Sequence, residues 1–292
     1  MIIVNGGRPA GVKSVAIITK KFKPDALEAG RALQAWLNGR GISAYHCENE
    51  PEPLIPVLPG EVNFIVVMGG DGTILSVARH YGAKGVPIFG VNLGGLGFLT
   101  EISLDELYPC MAEHVLTGKF EVEERLMLTV SLYRHGQIFW QENVLNDAVI
   151  NKGALARIAE MTTWIDGEYL TVYRADGLIV ATPTGSTAYN LSAGGPIVYP
   201  TQHNIIILPI CSHTLSTRPI ILPATITVAV TLDEKVQDVY LTLDGQVGQA
   251  MEPGDRLEIR RAPYSLKIVK SPYRSHFEIL RTKLGWGELG VR

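Results

Sequence analysis

The chain is most constrained at residues 64–73. There the unbroken apolar run Phe64-Ile65-Val66-Val67-Met68 passes directly into Gly69-Gly70-Asp71-Gly72-Thr73 and then into a helix-like stretch, Ile74–Tyr81. A strand without polar alternation is covered on both faces, the condition of a parallel strand in an α/β layer. A glycine turn from such a strand into a helix presents backbone N–H groups and the positive end of the helix dipole, a setting that suits phosphate. The aspartate inside the turn would repel phosphate unless it binds a divalent cation or takes a proton from an attacking hydroxyl, and both uses point to phosphoryl transfer. A tight turn with an Asp cap is the plain alternative. A P-loop pattern is absent, and Gly94, Gly95 and Gly97 come close to a dinucleotide fingerprint without matching it.

Strand and helix signals alternate over the first ~120 residues, which predicts a parallel α/β layer. Val15–Thr19 is β-branched, Val86–Val91 is a second short apolar run, and Leu33, Trp36 and Leu37 supply a helix face that Gly41 would stop. Asp25 with Glu28, and Ser103 with Glu106, have the spacing of capping boxes. From Phe120 the reading changes to short strands punctuated by His135-Gly136, Asp166-Gly167, Asp176-Gly177 and Asp244-Gly245. The expected organisation is an α/β, Rossmann-like domain over 1–119 and an all-β sandwich over 120–274. A helical C-terminal piece, Phe277–Leu284, returns to the first domain with segment 275–292. A length of 292 residues fits two domains at roughly 150 each.

Composition narrows the function classes. With 46% hydrophobic and 19% charged residues the chain can bury a sizeable core, so disorder is excluded as its main state. A net charge of −3 disfavours a protein that grips nucleic acid through phosphate neutralisation. Cys47, Cys110 and Cys211 are odd in number and far apart, which fits a reducing compartment and neither a disulfide framework nor a thiolate metal site. The stretch between Asp176 and Arg218 is free of Asp, Glu, Lys and Arg but is broken by four prolines, so no membrane span is expected. With no leader pattern at the N-terminus, the expectation is a cytoplasmic protein. The seven histidines lack metal-ligand spacing, and Ser186 lacks the glycine that a nucleophile elbow needs at Thr184.

Two further motifs suit a nucleotide. Asn146-Asp147 pairs an amide with a carboxylate, able to read a sugar diol and a base edge, although an isolated Asn-Asp is commonly a turn. Thr182-Pro183-Thr184-Gly185-Ser186-Thr187-Ala188-Tyr189-Asn190-Leu191-Ser192 is rich in hydroxyls, carries no charge and has one aromatic ring. Such a loop suits a neutral base and ribose, with the Tyr189 ring stacking on adenine.

Taken in order, GGDGT at Gly69, NLGGLGFLT at Asn92, the Asn146-Asp147 pair, ADG at Ala175, TPTGSTAYNLSAGGP at Thr182 and LDGQ at Leu243 resemble the NAD kinase family, from about Val15 to Arg274. G-G-D-G alone is shared with lipid and sugar-phosphate kinases, whereas the block at Thr182 is specific. The resemblance implies a two-domain fold with a Rossmann-like first half and a β-sandwich second half. It also implies ATP as phosphoryl donor, a divalent metal such as Mg²⁺, NAD as acceptor, and a homodimer or homotetramer with sites shared between subunits. It makes Asp71 the general base toward the adenosine ribose 2′-hydroxyl, with Gly69, Gly70, Gly72 and Thr73 as the phosphate loop. It places Gly72, Asn146, Asp147, Arg157, Arg174, Asp176, Gln246 and the run Thr187, Ala188, Tyr189, Asn190, Leu191 and Ser192 against the substrate. It assigns no residue as a protein metal ligand and implies no nucleic-acid or membrane partner. A lipid kinase sharing G-G-D-G, and a dinucleotide sensor without turnover, are the competing readings.

Overall fold

The apolar runs of the first half become the central strands of a parallel sheet. In the computed structural model, which describes residues 11–50, 55–153, 159–214, 216–233 and 238–286, β1 (Ser14–Lys20), α1 (Pro24–Asn38), β2 (Ser43–Asn49), β3 (Phe64–Gly69), α2 (Asp71–Tyr81) and β4 (Ile88–Asn92) follow one another. They pair in the order β4-β3-β1-β2, all parallel. A short β5 (Ile102–Ser103) lies parallel to β4 and leads into α3 (Leu104–Cys110). All six residues of β3 are buried, as expected for a strand covered on both faces. Val15, Ile17, Leu33, Leu37, Phe64, Val66, Phe89 and Val91 form the core of one face.

Two local expectations resolve differently. The Ser103–Glu106 capping box forms at α3. At α1, Pro24 occupies the first turn, the N-cap is Lys23 without a side-chain bond, and Asp25 lies inside the first turn. Proline's fixed φ starts the helix two residues early, so Asp25 faces the positive end of the dipole instead of capping it. That helix ends at Asn38, and Gly41 turns the chain at φ +75° just beyond.

The second half is antiparallel. Its elements are β6 (Val122–Arg134), β7 (Gln137–Val144), β8 (Asp147–Lys152), β9 (Ala159–Ile165), β10 (Glu168–Ala175), β11 (Gly177–Ala181), α4 (Tyr189–Ser192) and β12 (Asn204–Ile210). They continue with β13 (Ile220–Pro223), β14 (Thr227–Leu232), β15 (Val239–Leu243), β16 (Val247–Met251) and β17 (Arg256–Val269), and α5 (His276–Leu284) closes the order. One sheet contains β10-β9-β14-β17 with β6 and β7 beyond, and the other runs β13-β12-β11-β8-β15-β16. Ile150, Leu178, Val180, Ile205 and Leu241 of the second meet Met161, Val228, Val230, Leu257 and Ile259 of the first in one apolar core, which makes a sandwich. The alternate residues Val149, Ile179, Ala181, Ile206 and Leu208 pack on the outer face with Ala193 and Val198.

His135-Gly136, Asp166-Gly167 and Asp244-Gly245 all have positive φ at both positions, matching their reading as turns. Asp176-Gly177 does not: Gly177 begins β11 and pairs with both Asn151 and Ile210. A Cβ there would lie 2.4 Å from the Ile150 carbonyl oxygen, so this glycine serves close strand packing and not reversal.

The chain divides into two compact units, one running to Glu123 and resuming at Lys267, the other Glu124–Leu266. The first unit resumes at Lys267, where the end of β17 lies parallel to β4, Ile268 beside Ile88.

Within the first unit one glycine positions the site. A Cβ on Gly90 of β4 would lie 2.8 Å from the Leu99 carbonyl oxygen and 3.2 Å from Thr100 Cα. The segment 99–100 therefore lies against the face of β4. Gly90→Ala is expected to lower unfolding stability by about 1–3 kcal/mol through forced displacement. Gly95→Ala, with nothing within 4 Å of its Cβ, should stay within about 0.5 kcal/mol of the parent. Urea unfolding of the two variants checks the difference.

Candidate functional site

In the first unit the site grows from the end of β3. Gly70 is extended (φ −108°, ψ −176°) and caps α2, whose first residue is Asp71. Gly69 and Thr73 are buried, Gly70 and Asp71 are half-buried, and Gly72 is exposed. A Cβ on Gly69 would lie 2.4 Å from Thr73 Oγ1, so the turn closes tightly behind the exposed part.

The Asp71 carboxylate turns onto the segment 97–100. Oδ2 accepts the Phe98 N–H at 2.8 Å, and Oδ1 accepts the N–H groups of Leu99 (3.0 Å) and Thr100 (3.1 Å) and the Thr100 hydroxyl (3.0 Å). A Cβ on Gly97 would sit 2.2 Å from Asp71 Oδ1, so glycine is required for this approach. Asn92, the last residue of β4, holds the other side of the loop. Its Oδ1 accepts the Gly94 N–H at 2.7 Å, and its Nδ2 donates to the Gly95 carbonyl (2.6 Å) and to Thr100 Oγ1 (2.9 Å). The glycine turn and the NLGGLGFLT segment are thus one structure built around Asp71 and Asn92. A carboxylate has about two acceptor sites per oxygen. Oδ1 takes three donors and Oδ2 one, so Oδ2 is the oxygen with capacity left to receive a proton.

In the second unit Asp244 plays the matching part. It stands at φ 50° in the β15–β16 turn, and its carboxylate accepts the N–H groups of Leu145 (3.2 Å), Asn146 (2.7 Å) and Asp147 (3.3 Å). This shapes the short connection from β7 to β8 that carries the Asn146-Asp147 pair. The Thr182 N–H donates to the Asn146 carbonyl at 2.8 Å, and a Cβ on Gly185 would lie 2.2 Å from the same oxygen. The hydroxyl-rich loop and the Asn-Asp pair are therefore in direct contact.

Three loop residues face inward. Thr182 Oγ1 donates to the Leu145 carbonyl at 2.5 Å, Ser186 Oγ exchanges hydrogen bonds with the Val198 backbone at 3.0 and 3.1 Å, and Asn190 Nδ2 donates to the carbonyls of Ser186 (3.1 Å) and Pro196 (3.0 Å). Asn190 is fully buried and acts as framework. Thr187, Ala188 and Leu191 are half-buried, Ser192 is exposed, and Tyr189 presents 42% of its surface, so its ring is not core packing.

The remaining residues expected against the substrate lie elsewhere. Gln246 is exposed in the β15–β16 turn, two residues from Asp244. Arg174 pairs with Glu160 at 2.9 Å, and Asp176 lies 3.6 Å from Lys152. In the β8–β11 register Gly177 faces Asn151 while Ala181 faces Asp147. Asp176, one residue before Gly177, thus stands at the far end of these strands from the Asn-Asp pair, roughly 17 Å along by strand rise, and Arg174 precedes it at the end of β10. Arg157 lies outside the described residues. Sequence reasoning passed over Asp244, Asn92, Phe98 and Thr100 as site residues, although each lies in a quoted motif. Their partners are 27 to 99 positions away or in an irregular loop, where periodicity gives no signal.

Among the described residues no group of three His, Cys, Asp or Glu side chains could hold a metal, and none of the helices is long and apolar enough to cross a membrane. The Asp71 oxygens are turned to N–H and O–H donors, so the residues present do not form a protein-ligated metal centre.

The Asp147 carboxyl is buried, and burial first, then the neighbouring Asp244 charge, push its pKa up to about 7. An acid whose pKa rises on folding holds its proton more tightly when folded. Its contribution favours folding at low pH and is lost as pH climbs from the ordinary carboxylate range through about 7. Glu106, held down at about 2 by Arg274, has completed its own titration below that window. Wild-type stability is expected to fall relative to Asp147→Asn between about pH 5 and 8. Urea midpoints of the two proteins across that range check it, and a constant difference would contradict it.

Two family models match the chain: the ATP-NAD kinase N-terminal domain over residues 42–120 and the ATP-NAD kinase C-terminal domain over 145–271. The NAD kinase of Geobacter sulfurreducens is 51% identical over 284 residues, covering 95% of this chain and 100% of that one. The NAD kinase of Syntrophotalea carbinolica is 48% identical over 285 residues, with the same coverage. Among solved structures, yeast NADH kinase complexed with NADH aligns with a TM-score of 0.85 at 26% identity, covering 97% of this chain and 90% of that one. An NAD kinase from Archaeoglobus fulgidus in complex with ATP aligns with a TM-score of 0.70 at 26% identity, covering 93% and 98%. With both halves matched by family models and full-length relatives near half identical, the chain belongs to the NAD kinase family.

Proposed function

We propose that the chain transfers the γ-phosphoryl group of ATP to the 2′-hydroxyl of the adenosine ribose of NAD, giving NADP. The observation that carries this reading is the match of both halves to the ATP-NAD kinase models, with relatives named NAD kinase aligned over 95% of the chain. The first unit supplies the phosphate loop, the exposed backbone at Gly70–Gly72 and the start of α2, where N–H groups and the helix dipole suit a phosphate. Magnesium or another divalent ion would travel with the donor phosphates, the usual mode for this ion, since the side chains of the described residues form no cage for it.

The second unit supplies acceptor recognition. The charge-free loop presents the exposed ring of Tyr189 for stacking and the Thr187 and Ser192 hydroxyls for a neutral nucleoside, while Asn146 and Asp147 beside it suit ribose hydroxyls and a base edge. Asp71 orients the acceptor hydroxyl and takes its proton on Oδ2 as the oxygen attacks γ-phosphorus in line. The bond to the leaving ADP oxygen breaks as the new O–P bond forms, and positioning supplies most of the rate.

Arg174 and Asp176, far along the strands from the Asn-Asp pair, fit a site on a second copy of the chain in a homodimer or homotetramer. Gln246, in the turn that also holds Asp244, contacts substrate from its own unit. The protein works in the cytoplasm.

Asp71→Asn places an amide N–H₂ among N–H donors and removes the proton acceptor. Turnover should fall by about 10²–10⁴-fold, with NAD affinity retained, and steady-state assay beside NAD titration checks both. Tyr189→Ala should raise the KM for NAD by the equivalent of roughly 1–3 kcal/mol of lost stacking. A melting temperature near that of the parent, measured alongside, is expected of an exposed ring.

A further inference from the structure

The segment that supplies the Asp71 donors is itself anchored from outside the glycine motifs. Thr100 provides two of the four donors described above, its N–H and its hydroxyl. It is fully buried, and the Asn92 amide donates to its hydroxyl oxygen at 2.9 Å, which leaves the hydroxyl proton for Asp71 Oδ1. The placement of Thr100 therefore decides how half of these bonds are made.

The next residue, Glu101, is held at two points by the segment that follows β17. Its carboxylate is buried, a costly state unless hydrogen-bonded, and Oε2 accepts the Ser271 N–H at 3.1 Å. Its main-chain carbonyl accepts Arg274 Nη1 at 3.0 Å. The same guanidinium forks onto Glu106 at 2.5 and 2.7 Å, and Glu106 in turn accepts the Ser103 N–H at 2.9 Å in the capping box of α3. Ser271 Oγ accepts the Tyr273 N–H at 3.1 Å, which closes the holding segment on itself. One arginine thus ties the residue after Thr100 to the start of the following helix, and both to a stretch 170 and 173 positions later in the chain.

We infer that Glu101 and Arg274 are positioning residues for the phosphoryl transfer, acting through Thr100 on Asp71. The inference rests on the kinase reading above and extends it to residues outside the phosphate loop and the acceptor loop. The stretch 97–100 is irregular, so no strand or helix ladder keeps its amides convergent. Convergence then depends on its flanks: the Asn92 side chain before it, and Glu101 with its two anchors after it. A displacement on the order of 1 Å at a reacting group costs about a hundredfold in rate, even when its origin is remote. Arginine suits the anchor because its planar fork serves a carboxylate and a carbonyl together, which a lysine ammonium does not reproduce.

The test uses the full chain with Arg274→Gln, Arg274→Lys, Glu101→Ala, Glu101→Gln, Thr100→Val and the double variant Thr100→Val with Arg274→Gln. Steady-state assay gives kcat and the KM values for ATP and NAD, and NMR gives amide hydrogen exchange at Phe98, Leu99 and Thr100 against the amides of β3. In Arg274→Gln and Glu101→Ala, kcat should fall roughly ten- to a hundredfold with both KM values within about twofold. Exchange should quicken at 98–100 and not in β3. Glu101→Gln keeps a carbonyl for the Ser271 N–H and should retain most of the turnover, and Arg274→Lys should fall between the parent and Arg274→Gln. Residues in one network are non-additive, so the kcat loss of the double variant should be smaller than the product of the single losses by about threefold or more. If Arg274→Gln does not fold, Arg274→Lys and Glu101→Ala carry the same comparison. Unchanged kcat, a loss confined to KM, exchange that quickens equally in β3, or losses that multiply in the double variant would each overturn the inference. Failure of the wild type to phosphorylate NAD would count against the kinase reading alone, since exchange at Leu99 and Thr100 still reports whether these anchors hold the Asp71 donors.

Discussion

A carboxylate turned onto three consecutive backbone N–H groups is the interaction on which both halves of this molecule rely. In the first unit Asp71 gathers the amides of Phe98, Leu99 and Thr100, and in the second Asp244 gathers those of Leu145, Asn146 and Asp147. Successive amides that point to one side form a concave anion seat, and each hydrogen bond to a charged acceptor contributes more than a neutral one. The aspartate therefore fixes a segment that has no regular structure. Everything else at the two sites follows from those fixed segments: glycine at 97 and 185, where a side chain would strike the clasp or the Asn146 backbone, and Asn92 tying the loop from its other side.

The arrangement gives Asp71 two tasks at once. It holds the loop that follows β4, and it keeps acceptor capacity on Oδ2. In the role of base proposed above, Asp71 is held by backbone amides and cannot wander, so the entropy of placing it against a hydroxyl is settled on folding and not at each turnover. The cost is that any replacement disturbs the loop as well as the proposed proton transfer, which makes the shape of the loss more informative than its size.

Much of this was legible in the residues and some was not. The run Phe64–Met68 entering Gly69 reads as a buried parallel strand and a helix start because periodicity and glycine act locally. The Ser103–Glu106 box reads correctly for the same reason. The turns at His135, Asp166 and Asp244 are written in pairs with glycine that tolerate positive φ. Local rules fail where a neighbour overrides them. Pro24 displaces the cap expected at Asp25, and the Ile150 carbonyl, not a reversal, accounts for Gly177. The Ser275–Glu278 box of α5 follows the same local spacing but went unread beside the more apolar Phe277–Leu284. Asp244 could be found only in three dimensions, because its three amide partners lie 97 to 99 positions earlier.

The family resemblance rests on short motifs, and the fold explains why those motifs were the readable part. In GGDGT, NLGGLGFLT and the block at Thr182, Gly69 leaves room for the Thr73 hydroxyl, Gly97 for the Asp71 carboxylate and Gly185 for the Asn146 backbone, so glycine at these positions is dictated by geometry. The most direct test of the central claim is to incubate the purified chain with ATP, Mg²⁺ and NAD and to locate the transferred phosphate by phosphorus and proton NMR of the dinucleotide product. A single new phosphate on the 2′-oxygen of the adenosine ribose, formed in step with ADP, is the predicted result. ATP consumed without a phosphorylated dinucleotide, or a phosphate on any other hydroxyl, would contradict it.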